Sequence, residues 1–129
     1  MKFFRSIFSK QEAEIVTSGV EWVQLTTDEQ LSILDDTSYM HPQLIFKHST
    51  QCGISGVVLR SFSSKAGHPE SGYNYFVLDL IAFRELSNAI AEKYGVMHQS
   101  PQVLIVKNGI VVAHASHHAI LELDLNEFV

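Results

Sequence analysis

The sequence predicts an α/β fold: one domain, with a central mixed sheet of about five strands flanked by helices. Three observations predict it. Apolar runs of strand length alternate along the chain with stretches of helical periodicity. An Asn108-Gly109 pair separates two late apolar runs and marks an antiparallel hairpin. A length of 129 residues, 46% of them hydrophobic, suffices for one core in one domain, here 1–129, without staples.

The elements follow in order. Phe3, Phe4, Ile7 and Phe8 share one face at helical spacing, which predicts a helix or arm over residues 1–18 packed on the domain. Two turns are short for a membrane-surface helix. The basic, apolar start lacks an apolar run of signal-peptide length and a small-residue cleavage site. Val20–Leu25 alternates in part and reads as a strand. Thr26-Thr27-Asp28-Glu29-Gln30 then carries a capping-box pattern, opening a helix to about Thr37 with Leu31 and Leu34 inward. His41-Pro42 delivers the chain into a second strand, Gln43 to Lys47.

Beyond Cys52, Ile54, Val57, Val58 and Phe62 have helical spacing, with Leu59 nearby, up to a loop over Ser63–Pro69. Tyr73–Leu80 is a third strand. Phe83, Leu86, Ala89, Ile90 and Tyr94 define one face of a helix that Gly95 closes. Gln102–Val106 is an apolar strand, and Val111–His114 returns antiparallel to it across the Asn-Gly turn. In the tail, Leu121, Leu123 and Leu125 alternate like a strand, while Leu121, Leu125 and Phe128 suit a helix. The helix is favoured, because the sheet face beside the hairpin needs covering. Strands joined by helical crossovers are expected to run parallel, with the hairpin at one edge.

Composition narrows the function. A formal net charge of -5 with no basic block argues against a nucleic-acid partner. No stretch approaches membrane-spanning length, so no membrane partner is expected. One cysteine excludes an internal disulfide and points to the cytoplasm.

That cysteine, Cys52, stands after a buried strand and where the next helix should begin. Free N–H groups and the helix dipole favour a negative charge on sulfur there. A lone cysteine is otherwise a small buried hydrophobe; polar residues before it and Gly53 after it favour the reactive reading. The second signal is Gln99-Ser100-Pro101-Gln102 ahead of an apolar strand. A central strand excludes proline from its interior, so Pro101 belongs at its start, where a cis bond suits it.

Strand, helix, strand, Cys52, helix, strand, helix and a Pro101-led hairpin together resemble the thioredoxin-like fold. Over nearly the whole chain the sequence resembles the YtxJ-like monothiol bacilliredoxins. The matching pieces are Lys47–Ser55, Leu78–Arg84, Val96–Leu104 and Val112–Ile120. The resemblance implies a cysteine motif carried by Thr50, Cys52, Ile54 and Ser55, with Gly53 in place of the usual proline and Gln99 in place of a glutamate. It implies that Ser100 and Pro101 lie across from Cys52 and bind the substrate backbone. It also implies oxidative-stress chemistry on client proteins S-thiolated by bacillithiol or a similar small thiol, which acts as co-substrate. No bound cofactor is implied.

Ser55 stands where dithiol relatives carry a second cysteine. Its hydroxyl either supports a thiolate, with Thr50 and the Gly53 amide, or satisfies the backbone of the first turn. Glycine at 53 restores an N–H that proline lacks, and loosens the turn as well. With a single thiol, Cys52 can take a small thiol from a mixed disulfide, but release requires a second thiol from outside. The rival is a non-catalytic binding or stress-response module; a glutaredoxin-like enzyme is weaker, since aromatic and basic glutathione contacts are not evident. His114, His117 and His118 fit no standard metal-ligand spacing, and no metal is expected. His48 either adds positive charge near Cys52 or faces solvent. Asp79 and Arg84 are expected to form a structural pair. The composition points to no particular oligomeric state.

Overall fold

The structure, a computed structural model, describes residues 16–17, 20–66 and 72–129. Among these, the elements run β1 (Val16–Thr17), β2 (Val20–Gln24), α1 (Asp28–Thr37), β3 (Gln43–His48), α2 (Gly53–Ala66), β4 (Asn74–Asp79) and α3 (Arg84–Tyr94). Strands β5 (Gln102–Lys107) and β6 (Ile110–Ser116) follow, then 3₁₀ turns at His117–Glu122 and Leu125–Phe128. The expected helix or arm over 1–18 lies outside the described residues except for Val16 and Thr17, which pair antiparallel with β2.

All strands join one sheet in the order β1-β2-β4-β3-β5-β6. Five of them make the expected mixed sheet, and two-residue β1 extends its edge. β2, β4 and β3 run parallel. Although α3 connects β4 to β5, β5 pairs antiparallel with β3. The expectation of parallel strands across every helical crossover therefore fails there. The segment between Gly95 and Pro101 turns the chain, so that β5 starts at the C-terminal end of β3. β6 returns antiparallel across Asn108 (φ 55) and Gly109 (φ 77), two positive angles that a tight hairpin turn requires. A Cβ on Gly109 would also collide with the Tyr39 hydroxyl.

Helix α1 forms where the sequence places it. Thr27 is its N-cap, with the reciprocal box to Gln30, and Leu31 and Leu34 face the core. It packs with α3 on one face of the sheet, against Ile45, Phe76, Leu78 and Leu104. The other face buries Trp22, Phe46, Tyr75 and Val103 beneath α2. Trp22 anchors that side: its ring meets Phe46 edge-on at 5.8 Å and its Nε1 donates to Ser63 Oγ at 2.9 Å.

The inward stripe of α2 differs from the one expected. Ser55, Val58, Leu59, Phe62 and Ala66 are buried, whereas Ile54 and Val57 are 54% and 50% exposed. Steps of three and four from Ser55 keep one face turned to the sheet, and Ile54 and Val57 lie well round from it. Helix α2 also runs through Ser63–Ala66, which the sequence reads as the start of a loop; the rest of that loop, 67–69, lies outside the described residues.

The tail covers the sheet as expected, but as two 3₁₀ turns. Ile120 is buried, and Leu121, Leu123, Leu125 and Phe128 pack beside it. Those five positions spread too widely around an α-helix to face one surface. Two short turns joined by extended Leu123 bring them all onto it.

Candidate active site

β3 ends at His48, and the chain turns through Ser49–Cys52, with Cys52 N–H donating to Ser49 O at 3.2 Å. The carbonyl of Cys52 accepts from Gly56 N–H at 3.3 Å, the first helical bond of α2, so Cys52 sits at its N-cap. The thiol is free and partly exposed. Residues 53–55 supply first-turn amides, whose N–H groups have no intrahelical acceptor. Gly53 is exposed, and a Cβ there would meet nothing within 4 Å. Thr50 is exposed in the turn.

Ser55 is fully buried, and its hydroxyl points elsewhere than the sulfur. It accepts from Ser49 N–H at 3.1 Å and lies 2.7 Å from His48 Nδ1. The backbone-satisfying role is thus the one its contacts describe: it ties the turn carrying Cys52 to the end of β3. His48 does not simply face solvent. Its ring packs against Phe46 at 6.5 Å, and burial holds its pKa below the ordinary value, opposed by the charge of Asp79.

Pro101 lies at the same end of the sheet. Lys47 pairs with Gln102, so the antiparallel register brings Pro101 level with His48 and Ser100 level with Ser49. The Ser100–Pro101 peptide is cis. Pro101 O accepts from His117 N–H at 3.0 Å, and Ser100 Oγ is buried without a partner. Thus two neighbouring strands carry the Cys52 turn and the Ser100-Pro101 segment to one edge of the molecule.

Asp79 and Arg84 do not form the expected pair. Asp79 Oδ1 accepts from Ile81 N–H at 3.0 Å and Ala82 N–H at 3.4 Å, shaping the turn into α3. Among the described residues, no three His, Cys, Asp or Glu side chains come together as metal ligands, and His114, His117 and His118 lie along and beyond the end of β6. No helix among them is long and apolar enough to cross a membrane.

A polar group that the pattern did not single out lies beneath the Pro101 segment. Lys47 is 0% exposed; its Nζ donates to Ser87 O at 3.0 Å and lies 3.5 Å from His98 Nδ1. Burial pushes its pKa down to about 8. Ser87 Oγ lies 3.2 Å from the same Nδ1. His98 is held below its ordinary pKa by burial, then by the charges of Lys47 and Arg84. The signal in the sequence was a lysine closing the apolar run Leu44-Ile45-Phe46, where period two turns it inward beside Ile45.

A lone thiol at a helix start, in a turn that leaves β3 at the sheet end where antiparallel β5 begins after a cis-proline, defines a thioredoxin-fold protein of single-thiol type. Solved structures agree on the fold. One described as a proposed oxidoreductase with a thioredoxin fold is 26% identical over 78% of this chain and 88% of its own, with a TM-score of 0.68. The Schistosoma mansoni thioredoxin pre-protein is 19% identical over 84% and 99%, at 0.65, and Trypanosoma brucei brucei thioredoxin is 14% identical over 89% and 93%, at 0.65. The chain belongs to the monothiol bacilliredoxin family: the model described as Monothiol bacilliredoxin BrxC matches residues 23–125. Family and fold together make it a redox protein of the thiol–disulfide oxidoreductase class.

Proposed function

We propose that the protein removes a low-molecular-weight thiol, bacillithiol or a close analogue, from protein mixed disulfides in the cytoplasm. Cys52 is the nucleophile. Its thiolate attacks the small-thiol sulfur of a client–S–S–R disulfide; that bond breaks, the client leaves as a thiolate and takes a proton from solvent, and Cys52–S–S–R forms. A second small thiol, R′–SH, then attacks R's sulfur as its thiolate. Cys52 is released as its thiolate and R–S–S–R′ leaves: R's sulfur stays at the disulfide level throughout, and the sulfur of R′ takes up the oxidation that the client sulfur loses.

The carrying observation is the single partly exposed thiol at the start of α2, in the turn that leaves β3 at the sheet end where the Ser100-Pro101 segment enters β5. In this reading the Gly53 amide and first-turn dipole stabilise the thiolate, joined by the Thr50 hydroxyl. Ser55 contributes through the turn it holds. Ser100 and Pro101 offer backbone to the extended client on either side of its modified cysteine.

The test is transfer from a bacillithiolated model protein, followed by intact mass. The parent should gain one small-thiol adduct on Cys52 and liberate the client thiol, and Cys52→Ser should do neither. Equal liberation by mutant and parent would leave only a binding module.

A further inference from the structure

Lys47 and Gln102 stand opposite each other on adjacent strands, so their side chains share the sheet face occupied by α1 and α3. Both are buried, and both reach the segment between α3 and β5. Gln102 Nε2 donates to Met97 O at 2.9 Å. The Lys47 ammonium takes Ser87 O on α3 and lies beside His98 of the segment.

That segment has little apolar anchorage. Val96 is buried, but Met97 is 80% exposed, Gln99 is exposed, and His98 and Ser100 are partly so. Ser100 Oγ and Gln102 Oε1 make no hydrogen bond that could substitute. A buried ammonium without a carboxylate is also an expensive way to fill a core position, where methionine would fit at lower cost. No acidic side chain enters the causes of its depressed pKa.

We propose that Lys47 and Gln102 are positioning residues that clamp residues 97–100, and so set where the Ser100-Pro101 backbone stands relative to Cys52. The inference rests on the exchange reading above and deepens it. The clamp serves recognition of the protein client, which must lie along that backbone, and leaves the intrinsic reactivity of the sulfur alone.

The experiment compares the parent with Lys47→Met and with His98→Ala, whose half-buried loop position makes it safe for folding. Each is assayed for kcat and KM on a bacillithiolated protein and for the rate of Cys52 alkylation by iodoacetamide. Both variants should raise the client KM about tenfold, with kcat and alkylation changed by less than about twofold. A general loss of structure would alter alkylation as well. Client KM within about twofold of the parent in both variants overturns the clamp, as does alkylation falling in step with KM. A parent without Cys52-dependent transfer overturns the exchange reading and the clamp together, whereas an active parent with unaffected variants overturns the clamp alone.

Discussion

Replacing Ser55 with alanine separates a residue that holds the turn from one that activates the sulfur. The hydroxyl is fully buried and satisfies the Ser49 N–H at 3.1 Å and His48 Nδ1 at 2.7 Å. Removing it leaves a buried backbone donor and a half-buried ring nitrogen unsatisfied. Each such orphan costs about 1–3 kcal/mol, with the histidine at the lower end because water can reach part of its ring. Alanine recovers about 0.5 kcal/mol of helix propensity over serine. The net loss should be about 2–3 kcal/mol, which at a urea m-value of about 1–3 kcal/mol/M lowers the unfolding midpoint by about 0.7–3 M. Equilibrium urea unfolding measures it, with Cys52 alkylation on the same samples. The rate of alkylation should stay within about twofold, since no hydrogen bond joins that hydroxyl to sulfur. A loss below about 0.5 kcal/mol, or a tenfold fall in alkylation, would refute the argument.

Burial of titratable groups and the geometry of the first turn of α2 carry further expected outcomes. His48 and His98 have folded pKa values below their ordinary 6.5, so the unfolded chain binds more protons in the window beneath it. The histidine contribution to stability should therefore be full above 6.5 and fall as pH drops through the lowered folded values. Lys47, lowered from 10.5 to about 8, should add a second rise in stability between those two values, absent in Lys47→Met. Urea midpoints across the pH range would show both limbs, and a flat profile on the acid side would contradict the histidine assignment. Gly53→Pro should stabilise by about 0.4–1 kcal/mol in thermal unfolding, because the first helical position needs no N–H and proline narrows the unfolded ensemble. A Cβ at this position would meet nothing within 4 Å outside its chain neighbours; a drop in Tm would refute the expected gain.

Much of this was legible in the linear chain because it depends on neighbours in sequence. Period-two and period-3.6 patterns gave β3, β4 and α3 nearly to the residue, the Thr27–Gln30 box located α1, and Asn108-Gly109 announced the hairpin. Cys52 at a helix start and Pro101 at a strand start were likewise local facts. The inward face of α2 was harder: Ile54 and Val57 are more apolar than Ser55, which is buried while they are exposed, and only the position of the sheet decides which side is wet. The tail was ambiguous for the same reason, since its five apolar side chains obey the surface they cover and no helical period.

One cysteine, and hence the need for an outside thiol to finish any exchange, was determined by the sequence by itself, as were the order of the elements and the lack of an internal disulfide. Only the tertiary structure decided that β5 runs antiparallel to β3, that Ser55 serves His48 and Ser49, and that Lys47 and Gln102 reach the 97–98 backbone and ring. The physical reason is that local patterns encode which groups must be buried, whereas a buried polar group is satisfied by whatever partner the packing of distant segments supplies.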